Sequence, residues 1–150
     1  MLKILKEPNN LLYKKCSFVT DFEEAKQIVN DLVVVMKSLT KWWNIKFGFA
    51  ANQIGYSKRI VGLRKGRNQY QVLINPVLVE KRFPFPYIET CFSLKNKKYY
   101  FVKRYLWTKV EYQDLDGKPH EIILRGPSAI YQEMDHIDGI MVSKIGFQLF

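Results

Sequence analysis

The run Gln132-Glu133-Met134-Asp135-His136 carries side chains that bind metals and move protons. Residues four apart on a helix share a face, so positions 132 and 136 point toward one spot. With histidine at 132 the run would read H-E-x-x-H, in which two imidazoles hold a metal ion and the glutamate handles protons. The residue present is Gln132, whose amide oxygen is a weaker donor than imidazole for late transition metals. Alone, the run is a weak signal, and an ordinary amphipathic helix with its polar residues in water describes it better. A second candidate is Cys91 in Glu89-Thr90-Cys91-Phe92-Ser93, a thiol among polar residues downstream of Pro84 and Pro86. Its thiolate is a nucleophile and metal ligand, while its protonated form is a small hydrophobe of the kind cores use. A third stretch, Phe47 to Gly55, brackets Gln53 with glycine and alanine. Small residues let a ligand approach the backbone with Gln53 as a donor, and they also suit a tightly packed strand and turn.

Such groups need rigid elements behind them. Phe22, Ala25, Ile28, Val29, Leu32, Val33, Met36, Leu39 and Trp43 recur at spacings of three and four, which predicts a long helix with one buried stripe. Thr20, with Glu23 three positions later, has the form of a capping box at its start. Short apolar or alternating runs predict strands at Arg59–Leu63, Tyr70–Ile74 and Val77–Lys81, separated by Gly66 and by Asn75-Pro76. Trp107–Tyr112 and His120–Leu124 flank Asp116-Gly117, a hairpin turn pair. After Gly126-Pro127, residues Ala129 to Ile137 fit a second helix that Gly139 stops. Helix, antiparallel strands, then a late helix is an α+β order, not an alternating βαβ one.

Composition bounds what this arrangement does. A length of 150 residues with 47% hydrophobic content suits one domain over 1–150, and no linker, repeat or low-complexity tract divides it. Glu7 and Pro8 interrupt the lysine-containing start, so it reads as part of the domain and not as a targeting signal. No apolar run approaches the ~20 residues a membrane span needs. Cys16 and Cys91 cannot build a disulfide framework, which points to a reducing compartment. The 24 Lys and Arg against 14 Asp and Glu, a net +10, favour polyanionic surroundings.

Together and in this order, the three segments resemble the peptide deformylase family. Its first motif (glycine, apolar, glycine, apolar, Ala-Ala, any residue, Gln) stands here as Lys46-Phe47-Gly48-Phe49-Ala50-Ala51-Asn52-Gln53, with Lys46 replacing the first glycine. Its Glu-Gly-Cys-Leu-Ser stands as Glu89 to Ser93, and its Gln-His-Glu-x-x-His as Tyr131 to His136. The flanks follow: Ile4 to Val19, Ile74-Asn75-Pro76, Val102-Lys103-Arg104 and Asp114 to Lys118 resemble the family's N-terminal segment, strand end and central hairpin. The resemblance implies antiparallel sheets packed around the metal-motif helix. It implies a metallohydrolase that removes the formyl group from the initiator methionine of nascent chains. It further implies one divalent transition metal, iron or zinc foremost, with nickel and cobalt as alternatives. Mapped by motif, Cys91 and His136 are metal ligands, with Gln132 at the third position. Glu133 is the proton carrier, and Gln53 and the Phe92 N–H stabilise the oxyanion. Phe47 and Gly48 offer backbone groups to the peptide, and Glu89 pairs with Arg104 to support the Cys loop. A cytoplasmic monomer meeting formyl-methionyl peptides at the ribosome surface, without specific nucleic-acid recognition, completes what it implies.

Three departures matter. Gln132 replaces the family's first histidine, Tyr131 replaces a glutamine, and Ser128 stands at a usually apolar or basic position. Phe47, Phe49 and Phe92 stand where smaller aliphatics are usual, which implies a narrower or reshaped pocket. Three readings stand side by side: a deformylase with an altered ligand set, a catalytically impaired protein that binds formylated peptides or the ribosome, and a basic nucleic-acid-binding module. The third rests on Lys95, Lys97, Lys98, Lys103 and Arg104 interleaved with Tyr99, Tyr100 and Phe101. The plain alternative is a solvated strand face.

Overall fold

The computed structural model describes residues 2–42, 44 and 46–149. Helix α1 spans Phe22–Leu39 and buries Ala25, Ile28, Val29, Leu32 and Met36 of the predicted stripe, while Phe22, Val33 and Leu39 are half-buried and Val35, outside the predicted stripe, is buried as well. Its cap lies one residue later than expected. Asp21, not Thr20, accepts from the Glu23 and Glu24 N–H groups, because a carboxylate at the N-cap reaches the second and third amides of the first turn. The helix ends at Leu39, where Thr40 turns extended and its hydroxyl donates to the Met36 carbonyl. Trp43, the last residue of the predicted stripe, lies outside the described residues.

The strands are β1 (Phe47–Ala50), β2 (Ile60–Gly66), β3 (Gln69–Glu89), β4 (Tyr100–Gln113), β5 (Pro119–Arg125) and the short β6 (Phe147–Gln148). They form an antiparallel sheet in the order β1-β2-β3-β4-β5, with β6 paired to the start of β4. The sequence reading splits β3 at Asn75-Pro76. In the structure the chain continues through it, with Asn75 at a positive φ and a register shift between Ile74 and Val77. This is a bulge, which bends a strand without ending it. Beyond Ile74, β3 pairs only with β4 among the described residues, and Pro84 and Pro86 both sit on this one-sided stretch. The β4–β5 hairpin closes at Asp114–Lys118, where the Asp114 carboxylate accepts from the Asp116 and Lys118 amides and Gly117 takes a positive φ.

Alternation along β2 divides the interior. Ile60 packs with Phe49, Ile74 and the stripe of α1. Val61 and Leu63 pack on the other side with Ile130, Tyr131, Met134 and Ile137 of α2 (Ile130–Ile137). The sheet therefore lies between the two helices, as successive strand residues facing opposite ways require. A third cluster joins Leu12, Leu94, Tyr100 and Val102 to Met141 and Val142 near α3 (Val142–Ile145). The α+β architecture agrees with the sequence reading.

The same alternation divides the residues behind the nucleic-acid reading. On β4, Tyr100, Val102 and Arg104 are buried while Phe101 and Lys103 are exposed, so only part of the interleaved basic and aromatic set faces solvent.

Candidate active site

Helix α2 is held from its C-terminal end. The Asn52 amide donates to the His136 carbonyl at 2.6 Å, and the Arg59 guanidinium donates to the Ile137 carbonyl at 3.1 Å while pairing with Asp138 at 2.9 Å. The last carbonyls of a helix have no partners within it, so these side chains and the Cys16 N–H complete it. Gly139, at φ 76°, lies so close to the Tyr13 carbonyl that a Cβ would sit 2.7 Å from its oxygen. None of Asn52, Arg59 or Asp138 was marked as functional by the sequence. Arg59 at the head of an apolar strand was the one signal available.

The helix carries His136 to Cys91. Cys91 Sγ and His136 Nε2 lie 3.2 Å apart, with His136 fully buried. Burial pushes the imidazole down to about 4 and the thiol up to about 12, the latter opposed by the Ser93 N–H. Both groups are thus neutral near pH 7. Gln53 approaches from the turn after β1. Its Oε1 accepts from the Ala50 N–H at 2.9 Å, and its Nε2 faces Ser93 Oγ at 3.1 Å and Cys91 Sγ at 3.6 Å.

Glu133 lies inside α2, fully buried, with Oε2 lacking any hydrogen-bond partner. Burial, reinforced by Glu89 and Asp135, raises its carboxyl well above the usual range. Gly48 makes room for it, since a Cβ there would sit 2.6 Å from Glu133 Cγ. Phe92 packs edge-on to Phe47 at 5.9 Å and tilted on Phe49 at 5.8 Å, closing that side with three rings. The N-terminal strap ahead of the turn at Asn10–Tyr13 also touches the site, with Glu7 N–H on the Ser93 carbonyl and Lys6 Nζ on the Phe92 carbonyl of the Cys loop, and Leu5 N–H on the Gln53 carbonyl.

Arg104 ties the Cys loop to the helix. It forms a two-pronged pair with Glu89 at 2.8 and 2.9 Å and a third bond to Asp135 at 2.8 Å. Burial works against its charge, but the two carboxylates more than offset that and hold the guanidinium above its ordinary range. Burial raises Asp135, and Arg104 offsets that only in part. Gln132 joins this network: its Nε2 donates to Glu89 Oε1 at 3.2 Å and to the Thr90 carbonyl at 3.1 Å. Tyr131 turns away, its hydroxyl bonded to Thr108. The structure thus brings together Gln53, Cys91, Phe92, Glu133 and His136, with Phe47, Gly48, Glu89, Arg104 and Gln132 around them. Surface grooves of about 570 and 610 Å³ lie elsewhere and include none of these residues.

The donor set suits a transition metal at two positions. Tetrahedral coordination by a thiolate and an imidazole separates sulfur and nitrogen by roughly 3.5 Å, close to the distance between Cys91 and His136. The unpaired buried oxygen of Glu133 adds a polar group awaiting a partner. No group of three His, Cys, Asp or Glu residues gathers as a metal cluster among the described residues.

The polypeptide deformylase family model matches residues 1–145. A peptide deformylase of Chromobacterium violaceum is 34% identical over 146 residues, covering 94% of this chain and 84% of its own. Peptide deformylase 1 of Bacillus subtilis is 32% identical over 148 residues, covering 95% and 89%. The crystal structure of a peptide deformylase from Legionella pneumophila superposes with a TM-score of 0.86 at 29% identity, over 97% of this chain and 85% of that one. The Thermotoga maritima enzyme gives 0.85 at 27% identity, over 97% of both. The chain belongs to the peptide deformylase family, whose members are metal-dependent hydrolases.

Proposed function

We propose that this protein removes the formyl group from formyl-methionyl peptides, with a divalent transition metal held by Cys91 and His136. Iron or zinc is the expected metal, with nickel and cobalt as alternatives. The approach of Cys91 Sγ to His136 Nε2 at 3.2 Å, beside buried Glu133, carries the reading. When bound, the metal supplies Lewis acidity that lowers the pKa of water and polarises a carbonyl. Glu133 takes a proton from the attacking water and returns it to the leaving amine, a role suited to a carboxyl whose pKa burial has raised. Gln53 Nε2 and the Phe92 N–H donate to the oxygen of the tetrahedral intermediate, where one donor is worth ~3–4 kcal/mol. Backbone groups of Phe47 and Gly48 align the peptide, and the rings of Phe47, Phe49 and Phe92 narrow the side-chain pocket. The working context is cytoplasmic and monomeric, beside ribosomal RNA that matches the net charge of +10.

Gln132 favours a second reading. Its amide nitrogen is engaged by Glu89 and Thr90, and with fewer strong protein ligands the chain binds metal weakly and holds formylated peptides without turning them over. Formate release from a formyl-methionyl peptide, by protein purified without air and loaded with iron, zinc, nickel or cobalt, separates the two. The enzymatic reading expects release that Glu133→Gln lowers by ~10²–10⁴-fold. Peptide binding by metal-loaded protein with no formate under any metal would sink it, and recovery in Gln132→His would trace the loss to that ligand.

A further inference from the structure

We infer that Gln132 is a positioning residue that ties the Cys91 loop to α2, and that it is not a ligand of the metal. Both N–H bonds of its amide are committed, to Glu89 Oε1 at 3.2 Å and to the Thr90 carbonyl at 3.1 Å, the two residues directly before Cys91. An amide is planar, so these bonds orient the whole group by the Cys loop. Cys91 Sγ and His136 Nε2 meanwhile face one another at 3.2 Å. The loop is already fastened to the same helix through Glu89, Arg104 and Asp135, the last being three residues from Gln132 and hence on the same side of α2. Glu89 thus receives two struts, a charged one from Arg104 and a neutral one from Gln132. The latter reaches further along the loop, to the backbone next to the thiol. The inference holds whether or not the protein releases formate, because it concerns how the loop is held without metal and which side chains meet the metal when it is added.

The test reads amide hydrogen exchange at Ser93 and Leu94, whose N–H groups close the loop onto Cys91 Sγ and the Cys91 carbonyl. In metal-free, full-length Gln132→Ala these amides should exchange about tenfold faster, while amides of β2 keep their rates. Gln132→Lys, whose ammonium donates but cannot ligate, should return them to the wild-type rate. In a cobalt(II) titration, Gln132→Ala should keep the wild-type visible band positions, while Gln132→His should shift them by adding a nitrogen ligand. Unchanged exchange in Gln132→Ala, failure of Gln132→Lys to restore it, or a cobalt spectrum altered by Gln132→Ala would each overturn the inference. Because exchange is read without metal, it decides the positioning role even if formate release fails, and the cobalt spectra decide ligation.

Discussion

Gly48 and Glu133 compete for one volume, and only the absence of a side chain on the first lets the second sit where it does. Gly48→Ala puts a methyl 2.6 Å from Glu133 Cγ, and the helix interior leaves the carboxylate little room to yield. We expect ~1–3 kcal/mol of destabilisation in denaturant melts and a disproportionate loss of formate release, since the displaced group is the proposed proton carrier. Arg104→Met leaves Glu89 and Asp135 as neighbouring half-buried carboxylates without their cation. Removing one partner of such a network typically costs ~3–5 kcal/mol, and a melting curve within ~1 kcal/mol of wild type would contradict this account of the site. Cys91, His136, Glu133 and Gln53 were legible in the sequence because their types carry chemistry and their spacing has a family pattern. Asn52, Arg59, Ser93 and Asp135 were not, because each acts on a backbone carbonyl, a side-chain amide or a charge that only the folded chain brings near.

Among the elements, α1 shows where sequence logic succeeds and where it slips by one. The buried stripe follows from periodicity, but Thr20 and Asp21 are both competent caps, and only the path of the chain selects Asp21. Asp21→Ala should cost ~1 kcal/mol and Thr20→Ala close to nothing, as thermal melts of the two would show. Asn75-Pro76 is the opposite case. Turn residues signal a break, yet cross-strand pairing on either side carries β3 through as a bulge. The N-terminal strap offers a pH handle at the edge of the site. Tyr13 donates to Glu7 at 2.7 Å, and Ser143 of α3 donates to the same carboxylate. Burial and the bond to Glu7 push the phenol from 10.0 to about 12. The fold therefore favours the protonated phenol, so this contribution is whole below pH 10.0 and is lost as pH rises to about 12. Tyr13→Phe should melt lower than wild type at neutral pH and lose less melting temperature across that alkaline window.

On the scale of the molecule, the fold class was legible because helix-period and strand-period segments occur in separate blocks. The length of β3 was not, since Pro84 and Pro86 resemble breakers when read one residue at a time. Their placement has a further consequence. A strand paired on one side exposes a row of N–H and C=O groups to which another chain can add itself, an association that the exposed Phe83, Phe85 and Ile88 would reinforce. A proline paired within a ladder turns its nitrogen away from its partner strand, so positions 84 and 86 remove two donors from the open edge of β3. Lys81 and Arg82 add like charge along the same stretch. The double variant Pro84→Thr, Pro86→Thr should restore that edge and self-associate more strongly than the parent chain as concentration rises in sedimentation runs. The residues that conceal the strand in the sequence are the ones that leave its open edge short of the donors a second copy would need.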